Sequence, residues 1–152
     1  MKLNTRLFGE IEVAEEKIIT FPNGIIGFPE MNQFTLIYDE EQGTGAGIRW
    51  LQSLDEPNFA MPVMDPLVVK EDYNPDIEDE LLANIGEVTG DNLLVLVTVT
   101  VPSDLTKMSV NLQGPIIINV DERKACQMIV DAEAYPVKYP IYDILRARKA
   151  GV

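Results

Sequence analysis

Between Phe21 and Pro29 this chain can be neither helix nor central strand. The run Phe21-Pro22-Asn23-Gly24-Ile25-Ile26-Gly27-Phe28-Pro29 holds two prolines, two glycines and an asparagine, residues that remove backbone donors or favour turns. Yet four of its nine side chains are large and apolar, more than a solvated loop normally carries. The turn therefore either folds back into a core or offers its side chains to a partner.

A core for such a turn has to come from the flanking segments, and most of these read as short strands. Val95, Val97, Val99 and Val101 alternate with Leu96, Thr98 and Thr100 until Pro102, the period-two pattern of β-branched residues that favours a strand. Met108, Val110 and Leu112 alternate with Ser109, Asn111 and Gln113, Gly114-Pro115 breaks the run, and Ile116-Ile117-Ile118 starts another strand. A turn over 119–123 leads to a further strand over 125–130. Upstream, Gly9-Glu10 and Ala14-Glu15-Glu16 separate strands near 2–7, 10–13 and 17–21. Strands from Phe34 to Tyr38 and from Ile48 to Leu54 flank a polar, glycine-rich hairpin loop, Asp39 to Gly47. That loop resembles a phosphate loop only superficially, because no Lys-Ser or Lys-Thr follows it.

Two segments read as helix. Ile77, Leu81 and Ile85 stand four apart, with acids at the start and Gly86 as terminator. Ile141 to Lys149 follows Pro140, with Arg146, Arg148 and Lys149 at the negative end of its dipole. The predicted class is mainly β: a small closed or nearly closed antiparallel β-barrel with one short acidic helix and a short C-terminal helix. A chain of 152 residues predicts one domain over 1–152, able to bury roughly 68–70% of its unfolded surface.

Composition excludes most chemistry. The chain has no histidine and one cysteine, Cys126, so the commonest general base, a thiolate–imidazole pair and a structural zinc site are all missing. The acids after Pro75 lack the spacing and central glycine of a calcium loop. Adjacent pairs such as Asp55-Glu56 and Glu71-Asp72 point different ways and do not make a catalytic carboxylate pair. No cofactor, metal or small-molecule substrate is expected. The lone cysteine fits a reducing compartment. The N-terminus lacks the apolar core of a signal peptide, and the longest apolar run, Leu93 to Val97, is too short for a bilayer. The expectation is a soluble cytoplasmic protein.

The net charge of −13 is concentrated: residues 18–106 hold 16 acidic and two basic side chains, a balance of −14, while the remainder holds 10 basic and 9 acidic, a balance of +1. Such a field repels nucleic-acid phosphate and anionic membrane and attracts basic partners. It also serves solubility.

Four blocks carry a family resemblance. Ile19-Thr20-Phe21-Pro22-Asn23-Gly24-Ile25-Ile26-Gly27-Phe28-Pro29 resembles the N-terminal signature of the flagellar assembly factor FliW family. Trp50-Leu51-Gln52-Ser53 with Phe59 and Pro62, the run from Met108 to Asn119, and Gln127-Met128 leading to Tyr139-Pro140-Ile141 resemble the same family in the same order. The resemblance implies a non-enzymatic bacterial β-barrel protein with two partners, the translational regulator CsrA and flagellin. It implies that binding CsrA stops repression of flagellin mRNA and that new flagellin captures the factor and frees CsrA. This arrangement requires exclusive or negatively coupled binding, by occlusion of the RNA site or by an allosteric route. CsrA binds RNA and so carries basic surface, which the acidic middle segment complements.

Candidate contact residues follow from position and charge. In the turn they are Phe21, Ile25, Ile26 and Phe28; the alternative is that Phe21, Ile26 and Phe28 plug the barrel end. By charge they are Glu71, Asp72, Asp76, Glu78 and Asp79, whose alternative is a solvated helix face. Asn111 and Gln113 are expected on the polar side of their strand, as exposed contacts or as buried hydrogen-bonding groups. Two competing expectations stand beside the switch. One is a dedicated flagellin chaperone that docks an amphipathic helix in an apolar groove. The other is an enzyme with two carboxylates facing across a cleft.

Overall fold

The structure, a computed structural model, describes residues 1–38, 48–75, 82–87, 89, 91–130, 133 and 135–150. The predicted glycine-rich loop over 39–47 and residues 76–81 of the predicted acidic helix over 76–85, with Asp76, Glu78 and Asp79, lie outside the described residues. Within the predicted span, Ala83–Ile85 forms a short 3-10 turn that ends at Gly86 with φ +89°. That is the left-handed backbone that suits glycine as a terminator.

The strands are β1 (Lys2–Thr5), β2 (Gly9–Glu12), β3 (Ile19–Thr20), β4 (Gln33–Tyr38), β5 (Arg49–Ser53), β6 (Ala60–Met64), β7 (Leu93–Thr100), β8 (Ser109–Val110), β9 (Ile116–Asn119), β10 (Lys124–Gln127) and β11 (Tyr139–Pro140). Helix α1 is Tyr142–Ala150, close to the predicted span. Among the described residues, β3, β4, β5, β6, β7, β9 and β10 close into a seven-stranded barrel. The ring is antiparallel except at β3–β10, which pair in parallel through Thr20 and Lys124. The exception is forced: a ring with an odd number of strands cannot alternate direction all the way round. The β1–β2 hairpin stands apart from the ring and sets Phe8 edge-on against Trp50, ring centroids 6.1 Å apart.

Alternation sorts side chains into three packed clusters. Ile19, Phe21, Ile25, Phe34, Leu51, Val63, Leu96, Ile116, Ile118 and Ala125 pack together as the main cluster. Met64, Val97, Val99, Val110, Leu112 and Ile141 form a second, beneath β8, β11 and α1. Ile117, Cys126 and Met128 pack against Ile85 of the 83–85 turn. The continuous run Ile116-Ile117-Ile118 is therefore apolar because both faces of β9 are covered.

One predicted strand is shorter than expected. The alternating run from Met108 to Gln113 yields only the two residues of β8. The chain leaves the ladder because Asn111 Oδ1 accepts from the backbone N–H groups of Gln113 and Gly114, at 3.0 and 3.1 Å. This local side-chain bond competes with strand pairing. As β8 and β9 lie along the same edge of β7, residues 111–115 form a bulge between them. Asn111 and Gln113 are half-buried members of that bulge, which corrects their expected place on a polar strand face.

Candidate partner-binding surface

The turn after β3 is divided between core and surface. Phe21 N donates to Asn32 O at 2.7 Å, and Gly24 N donates back to Phe21 O at 2.9 Å. Ile25 and Phe28 exchange backbone hydrogen bonds at 3.3 and 2.9 Å, which leaves Ile26 and Gly27 at a tight tip. Gly27 has φ +90° and Gly24 has φ +68°, conformations strained for any other residue. At Gly24 a Cβ would stand 2.5 Å from Pro29 Cα. Gly24→Ala is therefore expected to lower stability by about 2 kcal/mol, read in a urea melt, because backbone and not a flexible side chain blocks the methyl.

This geometry sends the first two apolar residues of the turn inward and the last two outward. Phe21 is fully buried and Ile25 nearly so. The Phe21 ring lies edge-on to Phe34 with centroids 5.1 Å apart. Ile26 and Phe28 are 49% and 40% exposed, and the Phe28 ring tilts over Phe59 at 5.4 Å. The turn is divided: Phe21 and Ile25 face the core, and Ile26 and Phe28 face outward. Phe21 and Ile25 are corrected: they fill the core, where a partner cannot touch them without opening the barrel. Ile26 is also corrected as a plug, because it stands outside.

The tip is tied to the bulge by a residue that sequence reasoning did not single out as a contact. Gln127, the last residue of β10, accepts the Ile26 N–H on Oε1 at 2.9 Å and donates from Nε2 to Gly114 O at 3.0 Å. A Cβ at Gly114 would meet Asn111 Nδ2 at 3.0 Å and Gln127 Nε2 at 3.2 Å, so the bulge fits closely around these amides. Past Gln127 the chain stays extended, with Met128 N donating to Pro115 O and Val130 N to Gln113 O. Met128 and Val130 are buried, while Ile129 between them is 68% exposed. The signal for Ile129 was present in the sequence: it is an apolar residue on the outward phase of the alternation that contains Gln127.

The acidic candidates lie in a different stretch. Glu71 and Asp72 are exposed, and Lys70 Nζ contacts Asp72 Oδ1 at 3.0 Å. This hydrogen-bonded pair holds Lys70 above and Asp72 below their ordinary pKa values. Lys70 also stands 5.9 Å over the Tyr139 ring, and its ion pair partly neutralises Asp72. Tyr73 anchors the stretch: it is buried, donates from its hydroxyl to Leu112 O at 2.6 Å, and meets Tyr135 edge-on at 4.7 Å. Burial raises the Tyr73 phenol and the Cys126 thiol, which keeps both neutral. A protonated, buried thiol is a poor nucleophile.

Residues 2–141 match the family model of the FliW protein. The chain belongs to the FliW family. The flagellar assembly factor FliW of Lachnospira eligens is 52% identical over 147 residues, 96% of this chain and 97% of that protein. The flagellar assembly factor FliW of Lachnoclostridium phytofermentans is 47% identical over 148 residues, 97% of this chain and 95% of that one. A crystal structure of the flagellar assembly factor FliW superposes with a TM-score of 0.85 at 30% identity, covering 93% of this chain and 97% of the other. Parts of the four FliW-like sequence blocks, far apart along the chain, meet at one end of the barrel. Phe28 touches Phe59, Ile26 is bonded to Gln127, and Gln127 is bonded to the 111–115 bulge. Strand directions agree, since β3, β5 and β10 finish at that end and β4, β6 and β9 begin there.

Proposed function

We propose that this protein is a non-enzymatic flagellar assembly factor of the bacterial cytoplasm, which binds the translational regulator CsrA and, alternately, flagellin. Bound to CsrA, it relieves repression of flagellin mRNA; bound to newly made flagellin, it releases CsrA. Membership of the FliW family over residues 2–141 carries this reading. The balance of −14 over residues 18–106 supports it, as a complement to a basic RNA-binding protein. Glu71, Asp72, Asp76, Glu78 and Asp79 are the proposed CsrA contacts. Ile26 and Phe28 are the proposed flagellin contacts, with Asn111 and Gln113 shaping the bulge beside them.

Calorimetric titration with CsrA, repeated with flagellin already bound, tests the switch. CsrA binding that flagellin abolishes, and that weakens with salt, is the expected result. Flagellin binding without any CsrA binding would instead leave a dedicated flagellin chaperone, a reading that the exposed apolar tip favours.

A further inference from the structure

We infer that the tip end of the barrel docks a basic amphipathic segment of another protein, with apolar side chains on one face and lysine or arginine beside them. This rests on the reading of the chain as a partner-binding protein; it adds where the contact lies and what chemistry it selects. Ile26, Phe28 and Ile129 are 49%, 40% and 68% exposed, and Phe59 is half-buried against Phe28. Three exposed acidic residues, Glu30, Asp55 and Glu56, flank the Phe28–Phe59 pair along the chain. Glu30 follows Phe28 by two residues, and Glu56 O accepts the Phe59 N–H at 2.9 Å. Asp55 Oδ2 accepts from Asn32 N and Gln33 N at 2.7 and 2.8 Å. Between Ile18 and Val69 the sequence supplies a single basic residue, Arg49. Lys124 is the nearest cation on β10, and it stands at the opposite end of that strand from Gln127.

An apolar anchor within a carboxylate rim discriminates by charge as well as by hydrophobicity. A segment with cations beside its apolar face gains from both terms, and an acidic segment of equal hydrophobicity is repelled. The surface is also held in shape before anything binds. Gln127 fixes the tip, and Asp55 ties the 54–59 loop to the strand after the tip. Gln52 Nε2 lies 2.9, 3.0 and 3.1 Å from the carbonyls of Ser53, Pro57 and Phe59, drawing that loop around it. Little ordering is left for the moment of association.

Anisotropy of a labelled helical Leu/Lys peptide, and of its Leu/Glu counterpart, at about 50 and about 300 mM salt is the test. The protein is expected to bind the Leu/Lys peptide and not the Leu/Glu one. I26A/F28A is expected to bind it about tenfold more weakly at both salt concentrations. E30Q/E56Q is expected to lose about threefold at low salt and nothing at high salt. E10Q/E12Q, two exposed acids on the β1–β2 hairpin that stands apart from the ring, is expected to stay within about twofold, which separates this surface from general attraction to an acidic protein. Melts of each variant check the fold. The inference is overturned if the Leu/Lys peptide does not bind, if the Leu/Glu peptide binds equally, if I26A/F28A binds unchanged, or if E10Q/E12Q loses as much as E30Q/E56Q. Neither peptide is CsrA or flagellin, so these outcomes are independent of the titration that tests the proposed function.

Discussion

Replacing Phe21 with alanine is expected to lower the stability of this protein by about 4 kcal/mol, the cost of removing a fully buried ring from a packed core. For a chain of this size that is a fall in Tm on the order of 10 °C. The ring has no exposed surface, packs edge-on to Phe34 and belongs to the main core cluster. Phe28→Ala, seven residues further on, is expected to cost about 1 kcal/mol, because its ring is 40% exposed and leaves only part of its area uncovered when removed. Paired urea melts compare the two. Equal losses would mean that the turn is not divided between core and surface. If the division holds, Phe28→Ala also keeps the barrel intact for binding measurements, whereas Phe21→Ala is unsuitable for them.

Asn119→Ala is expected to cost about 3 kcal/mol, since four hydrogen bonds to a buried amide each contribute about 0.5–1.5 kcal/mol and their partners are left unsatisfied. Asn119 is fully buried at the end of β9. Its Nδ2 donates to Ile85 O at 2.9 Å and Glu87 O at 3.0 Å, and its Oδ1 accepts from Asp121 N at 3.0 Å and Glu122 N at 3.1 Å. One side chain thus holds the turn after β9 and the end of the 83–85 turn together. Differential scanning calorimetry reads the loss. A change below about 1 kcal/mol would show that water replaces these bonds freely.

The strand-rich class and the barrel were legible because period-two alternation and breaker residues are local signals. The parallel β3–β10 pair was not: it follows from the number of strands in the closed ring, and no window of sequence contains that number. The bulge was misread as strand because the 108–113 alternation is real, but Asn111 supplies a competing acceptor for two N–H groups. The turn showed its apolar content without showing how that content divides. The division depends on Gly24 and Gly27 both adopting positive φ, which reverses the chain between Ile25 and Phe28. Gln127 carries its role through a bond to Ile26, 101 positions away, a relation that a linear reading does not contain. Charge was the opposite case: the acidic excess was plain in the sequence, while Asp76, Glu78 and Asp79 lie outside the described residues.

The parallel contact between β3 and β10 also constrains the order of events during synthesis. Thr20 and Lys124 are neighbours in space, so the ring stays open until the ribosome has released the chain through residue 124. Until then β3 lacks its second neighbour, and the apolar turn that follows it lacks the Gln127 amide that fixes its tip. The sheet from β4 to β7 is built from sequential antiparallel pairs and can assemble earlier; closure is the long-range, high-contact-order step. A nascent chain that stalls before residue 124 therefore carries an unpaired strand edge beside an exposed apolar turn, the combination that makes a folding intermediate prone to aggregate.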